Sequence, residues 1–355
     1  MFATVKNERV MVDGIQPRTA RLQRGVVIEA VEHDQQPVRM LCGVEPIRSH
    51  EGIERLIPER CPDQMDQADL LSHSDKSMDA AEVLCWACTA RVGSDPVFPG
   101  YSRCTACQLL FAPERDAEEL RRLYHSSYFA AYRADGGYDA DQRQRDYEAA
   151  LRLDLIRGVC RSGRVVELGS AGGYFLAALN RAGYAASGIE PAAEIAQSAR
   201  DRFGVEVFTG VVDEAPLEDA SLDVVCGWHV LEHIRDPLTV IERLSRALRP
   251  GGHALFEVPN IASVRARRDG DRWKPLEPTH HVSNFTPQAL TALMERGGFS
   301  DVRTETVSFL TYLPRAALLR PRSAVGVVKE ALVAGNPLRA HPEHHELLRV
   351  VATRP

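Results

Sequence analysis

From Arg164 to Asn260 the sequence switches repeatedly between two periods. Short apolar runs (RVVELG, YAASGIE, VEVFTG, SLDVVCGWHV, HALFEVPN) alternate with helix-length stretches (YFLAALNRAG, PAAEIAQSARDRFG, PLTVIERLSRALRPGG). A helix between two strands returns the chain to the same end of the sheet, so the strands pair in parallel. The pattern predicts a doubly wound α/β fold. Such sheets take ligands beyond the carboxyl ends of their strands, so the candidate site lies in the residues that close each run.

The first of those closures is VVELGSAGGYF at 165–175, a strand that ends in a glycine-rich turn and opens a helix. That turn lets backbone approach a ligand and points helix N–H groups at it. A dinucleotide fingerprint starting at Gly169 needs glycine at 171 and a small residue at 174, where the chain has Ala171 and Tyr174; Gly-Lys-Ser/Thr is absent too. Glu190 closes the next run, in SGIEP. A carboxylate there can accept both hydroxyls of a ribose. Glu167, at the end of the first run, stands where a carboxylate attracts a cationic group.

The fourth run is followed by WHVLEHIRDP, which supplies His229, Glu232 and His233. If 230–233 begin a helical turn, the two histidines share a face with Glu232 beside them. His233 is the preferred general base, with Glu232 orienting it; a purely structural role at the strand–helix junction is the alternative. A second pair, His280 and His281, lies in EPTHHVSNF, just before a helix expected to start with Thr286 as N-cap and Pro287 at the first position. His280 is read as anchoring that loop over the pocket, and as a further candidate for a catalytic or substrate-contacting role. His341, His344 and His345 read as a solvated loop.

Upstream, CWACTARVGSDPVFPGYSRCTAC spaces Cys85, Cys88, Cys104 and Cys107 as C-x2-C-x15-C-x2-C. Two such turns close a tetrahedral thiolate cage that suits zinc. Four thiolates leave no position for water, so the metal is expected to be structural rather than catalytic. The other four of the eight cysteines are scattered, which argues against a disulfide framework.

Composition adds exclusions. A formal net charge of −6 argues against a partner held through its phosphate backbone, although RARRDGDR at 265–272 and the cysteine box keep an RNA-modifying alternative open. No apolar run approaches the ~18 residues of a membrane span, and the start lacks the order of a secretory signal; a cytoplasmic protein with a small-molecule substrate is expected. Residues 1–80 carry weak strand signals in VKNERVMVDG and RGVVIEAVEHD. They read either as an extension or as residues upstream of a natural start near Met65 or Met78. After the box come a helix and an aromatic-rich segment with Tyr124, Tyr128, Phe129 and Tyr132. A second helix follows, with apolar residues at Ala149, Leu151, Leu153, Leu155 and Ile156.

With Glu167, Gly169, Ala171 and Gly173 in the places of an acidic residue followed by Gly-x-Gly-x-Gly, the chain from about 160 onward resembles the class I S-adenosylmethionine-dependent methyltransferases. Ala171 stands where that family usually has glycine. The resemblance continues through SLDVVCGWHVLEHIRDP, RLSRALRPGGHALFEVPN and PTHHVSNFTPQALTALMERGGF to HELLRVVATRP. It implies a Rossmann-like, mostly parallel seven-stranded sheet whose last strand is antiparallel. It also implies S-adenosylmethionine as cofactor, with Ser170 in the glycine turn, Glu190 and Pro191 at the ribose, Val211 and Val212 beside adenine, and Trp228 and His229 nearby. The cysteine box with CQLLFAPERD and the tyrosine-rich segment is similar to the N-terminal part of antibiotic-pathway sugar C-methyltransferases, which makes a sugar or another specialised metabolite the expected acceptor. A cofactor-binding subunit without catalysis is the remaining alternative. The expected domains are an extension (1–80), a zinc-ribbon-like module (81–115), a helical connector (116–160) and the methyltransferase domain (161–355).

Overall fold

The computed structural model describes residues 83–92, 100–113, 115–116, 119–120, 142–277, 279–313 and 344–355, together with the backbone of strand 96–98 and of five short strands within 2–44. The aromatic-rich segment at 124–132, Met65, Met78 and His341 lie outside the described residues.

Two compact units divide the chain at 80/81. In the first, β1 (Phe2–Val5) pairs antiparallel with β2 (Glu8–Met11). A separate antiparallel sheet has the order β3 (Thr19–Arg21), β4 (Val26–Ala30), β5 (Met40–Val44). Strands thus form in both stretches where the sequence signals them.

The second unit starts with β6 (Pro96–Phe98), β7 (Tyr101–Arg103) and β8 (Leu110–Phe111), then α1 (Gln142–Val159). The alternating region forms β9 (Arg164–Leu168), α2 (Tyr174–Arg181), β10 (Ala185–Glu190), α3 (Ala193–Phe203), β11 (Glu206–Thr209) and β12 (Leu222–Trp228). After a 3₁₀ turn (Leu231–His233) come α4 (Pro237–Ala247), β13 (Leu248–Pro259), α5 (Val264–Asp269), β14 (Ser283–Asn284), α6 (Pro287–Arg296), β15 (Ser300–Val307) and β16 (Leu347–Thr353).

The seven-stranded sheet runs β11-β10-β9-β12-β13-β16-β15, parallel throughout except for β16, which is antiparallel to both neighbours. All seven residues of β12 are buried, because helices cover both faces and leave no solvated side to alternate with. Chain order reverses between β9 and β12, which opens the crevice at their carboxyl ends. Local chemistry fixes the helix starts. Asp236 caps α4 by accepting from the Thr239 amide, and Thr286 caps α6 by accepting from Ala289, each followed by proline at the first position. Among the described residues no helix is long and apolar enough to cross a membrane.

Cysteine module and sheet are one body. Cys85, Cys104, Leu109 and Phe111 share a buried cluster with Ile241, Phe256, Phe285, Leu290 and Leu293. Backbone joins them too: β8 pairs antiparallel with β14, Ser283 opposite Phe111 and Asn284 opposite Leu110.

Gly173, at the N-cap of α2, has φ +76°, and a β-carbon there would lie 2.8 Å from that of Ala199 on α3. A side chain is therefore opposed by the left-handed backbone and by the packing of two helices. Gly173→Ala is expected to cost about 2–4 kcal/mol, read as a lower urea midpoint; an unchanged midpoint refutes this account of the turn.

Candidate active site and cysteine cluster

The four box cysteines converge, with one sulfur from each within 4.8 Å of the others. Cys85 and Cys107 sulfurs are 3.6 Å apart, and those of Cys88 and Cys104 are 3.5 Å apart. A tetrahedron of Zn–S bonds of ~2.3 Å has edges of about 3.8 Å, so the cage fits the ion. Each half is the same small turn: the Thr89 amide donates to Cys85 O and Gln108 to Cys104 O, at 2.9 Å in both. Further amides point at sulfur, from Ala87 to Cys85 (3.5 Å) and from Cys107 to Cys104 (3.4 Å). Thr89 (φ 59°) and Gln108 (φ 67°) both adopt the left-handed backbone that reverses the chain after the second cysteine of each pair. A bond from the Cys107 thiol pulls Cys85 down to about 5, favouring its thiolate.

The cluster lies against α6. Gln288 Nε2 donates to Ala106 O (2.9 Å) and the Arg296 guanidinium to Thr89 Oγ1 (2.9 Å). From β7, the Tyr101 hydroxyl donates to His281 O at 2.7 Å. The module therefore holds the loop that carries His280 and His281.

At the switch point lies a cavity of ≈ 490 Å³, within the ~300–1,000 Å³ range of small-molecule sites. It is lined by Glu167, Gly169, Ser170, Ala171, Gly173, Glu190, Pro191, Val211, Val212, Trp228, His229 and His233 together. Glu232 and His280 do not line it. The Glu190 carboxylate accepts from the amides of Ala171 and Ala192, at 2.9 Å each, which fixes it at the tip of β10. Ala171 has φ 44°, so alanine occupies the left-handed turn that glycine would take without strain. Burial raises the Glu190 carboxyl, opposed by those two amides.

Glu167 is 3% exposed, and its Oε2 has no hydrogen-bonding partner. Burial pushes its pKa up to about 8, with Arg152 pulling down and Glu190 pushing up. Trp228 Nε1 and Ser170 Oγ are likewise buried without partners. Unpaired polar atoms concentrated at a cavity wall fit a ligand that supplies the missing donors and acceptors.

His229 follows β12 with φ 57°, a left-handed position that costs energy in a non-glycine residue. Its Nδ1 is 3.4 Å from Glu232 Oε1 and its Nε2 3.8 Å from Glu257 Oε1. Burial lowers its pKa, but the two carboxylates outweigh that and the net shift is upward. His233 Nδ1 donates to His280 O at 3.0 Å, and burial drives its pKa down to about 4. The His280 ring turns to Glu277 (2.6 Å).

Sequence reasoning overlooked Arg145, Glu148 and Arg152, which α1 delivers to the cavity at helical spacing. The Arg152 guanidinium lies 5.2 Å from the centre of the Trp228 ring. It also overlooked Glu257, fully buried on β13, which accepts from the Tyr312 hydroxyl (2.8 Å) and from Arg349 of β16 (2.9 Å). Charged residues inside the apolar runs ALFEVP and LLRVVA were the available signal.

A family model described as a methyltransferase domain matches residues 141–304. A protein of Mycolicibacterium smegmatis named as a probable S-adenosylmethionine-dependent methyltransferase is 38% identical over 95 residues, covering 27% of this chain and 35% of that protein; the chain thus spans about a third of that relative's length. The ubiquinone biosynthesis O-methyltransferase of Xanthomonas oryzae pv. oryzae is 30% identical over 222 residues, covering 58% of this chain and 91% of that enzyme. A crystal structure of an S-adenosylmethionine-dependent methyltransferase from Thermotoga maritima superimposes with a TM-score of 0.46 at 20% identity, covering 61% of this chain and 94% of that one.

If the cysteine cage holds the module together, Cys88→Ser should abolish a bound zinc equivalent and lower the melting temperature by about 10 °C, a loss of several kcal/mol. Metal analysis with a thermal melt checks both, and a variant that loses zinc without losing stability overturns the structural role.

Proposed function

Because the chain belongs to the S-adenosylmethionine-dependent methyltransferase family, we propose that its switch-point cavity binds S-adenosylmethionine and methylates a hydroxyl of a small metabolite, such as a sugar or a phenol-like ring, while the cysteine cluster holds a structural zinc. The observation that carries this reading is the pairing of Glu167 and Glu190 on adjacent strand tips, both buried and both lining one cavity.

Glu190 would take the ribose and Glu167 the cationic end of the cofactor, with Val211 and Val212 against the base. When bound, the cofactor would supply an electrophilic methyl group on a positively charged sulfur, which would keep the bonding electron pair on transfer. What remains for the chain is to hold the acceptor oxygen in line, worth up to ~7–11 kcal/mol, and to remove its proton. His229 takes that proton in this reading. It lines the cavity, it is held at a strained strand tip, and Glu232 and Glu257 flank it to stabilise the imidazolium. His233, first choice by residue order, also lines the cavity, but burial drives its pKa down to about 4 and makes it the weaker base of the two.

The cavity's size supports a small acceptor, and so does the named substrate pathway of the Xanthomonas relative. Three of the four arginines that left RNA open are engaged within the protein. Arg265 pairs with Glu346 at 3.3 Å, Arg268 with Asp269 at 2.8 Å, and Arg267 donates to the Ala262 carbonyl.

Incubation with methyl-labelled cofactor and a metabolite extract should place label in a small hydroxylated compound; label in RNA, or none anywhere, refutes the proposal. His229→Ala should lower the rate by about a hundredfold or more with cofactor affinity retained, and a fully active variant removes it as base. Glu190→Ala should weaken binding of S-adenosylhomocysteine by roughly a hundredfold, the loss of about two charge-assisted hydrogen bonds; unchanged affinity by calorimetry sinks the ribose assignment.

Glu167 sets a pH dependence. Its folded value of about 8 lies above the ordinary 4.5, so between these limits the empty fold favours the neutral acid and loses stability as pH rises. A cationic ligand reverses the preference. Cofactor affinity should therefore climb from pH 6 to about pH 8 and then level off, a slope that Glu167→Gln removes. A flat wild-type profile contradicts this role.

A further inference from the structure

Behind the cavity wall, three side chains from two distant segments converge. Glu232 and His233 come from the 3₁₀ turn after β12, and His281 comes from the loop before β14. One ligand atom from each lies within 4.8 Å of the other two. Glu232 is 1% exposed, and neither carboxylate oxygen has a hydrogen-bonding partner. Its neighbour His229, whose pKa Glu232 and Glu257 raise against its burial, comes to 3.4 Å without the alignment of a hydrogen bond. A buried carboxylate without donors is costly unless a cation answers it.

Both imidazoles are oriented as metal ligands are. His233 Nδ1–H donates to His280 O (3.0 Å) and His281 Nδ1–H donates to Pro275 O (2.7 Å). A backbone carbonyl only accepts, so each ring is fixed with its proton on Nδ1 and its basic nitrogen at Nε2. Carbonyl-anchored imidazoles of this kind are the usual outer support of a metal site. The rings meet edge to face, with centres 4.7 Å apart. The loop under His281 is fixed in turn, because its carbonyl accepts from the Tyr101 hydroxyl.

We propose that Glu232, His233 and His281 form a second metal site, separate from the cysteine cluster, for a divalent first-row transition ion. Two imidazoles and one carboxylate suit zinc, iron(II) and their neighbours better than calcium or magnesium. Three protein ligands leave a position for an external oxygen. His233 is the member that lines the cavity; on the methyltransferase reading, and resting on it, the open position takes the acceptor hydroxyl and favours its ionisation.

Full-length protein carrying a single zinc equivalent, on the cysteine cluster, is titrated with Co²⁺ and followed by visible absorption and metal analysis, with S-adenosylhomocysteine binding measured on the same samples. The site predicts one further equivalent of Co²⁺ with weak d–d absorption and no thiolate charge-transfer band. His281→Ala and Glu232→Gln should each weaken that second event at least tenfold while retaining the zinc. No second equivalent, a thiolate band in its place, or equal affinity in His281→Ala overturns the site, and the wild-type titration decides even if a variant fails to fold. Retained homocysteine-analogue binding without the second metal rejects the metal site alone; a second metal without that binding rejects the cofactor reading alone.

Discussion

The parallel ladder between β9 and β12 is the constraint on which the rest of this molecule depends. It sets Cys226 beside Glu167 and Gly227 beside Leu168, so Glu167 and the Trp228–His229 corner open into one crevice. Side chains alternate faces along a strand, and a slip of one residue would send Glu167 into the opposite helix layer. The ladder is held by burial on both sides: Val165, Val224 and Cys226 belong to one apolar layer, Val166 and Val225 to the other. Among the described residues, the unpartnered polar atoms of Glu167, Ser170 and Trp228 gather where these strands end.

A second, much shorter ladder extends that order to the far side of the pocket. Two residue pairs between β8 and β14, with the Tyr101 hydroxyl on the His281 carbonyl, convert the rigidity of the cysteine cage into a fixed path for the 279–285 loop. The cage sulfurs sit in the same buried cluster as α4 and α6, far from a role in bond making but one strand away from the histidines. The cysteine box and the glycine loop are in this way parts of one scaffold.

Local signals account for what could be read in advance. The individual strands and helices, the glycine turn with Glu190, the cap at Thr286 and the cysteine spacing each live within about two dozen residues, so propensity and period expose them. Pairings made by the fold could not be read that way. Glu232 was assigned to His233 by adjacency, and the fold also brings the His229 ring to 3.4 Å from it, because the chain turns left-handed at that residue. His280 and His281 look equivalent in sequence. Only the loop path, set by Pro275 and Tyr101, sends one ring toward Glu277 and the other toward His233. Arg152 was hidden in a helix read for its apolar stripe, and its neighbours Trp228 and Tyr312 come from segments 76 residues or more away.

The place of β16 has a consequence for how the chain is assembled. It is inserted between β13 and β15, and its Arg349 neutralises the carboxylate of Glu257 buried on β13. During synthesis, at roughly 5–20 residues per second, β15 emerges some seconds before the strand that joins it to the sheet. Until then its two edges are open to any other extended chain, and Glu257 waits in an apolar strand without its Arg349 partner. β16 is thus the keystone of the arch, and in the interval between the synthesis of β15 and its own arrival the nascent sheet is open to misassembly.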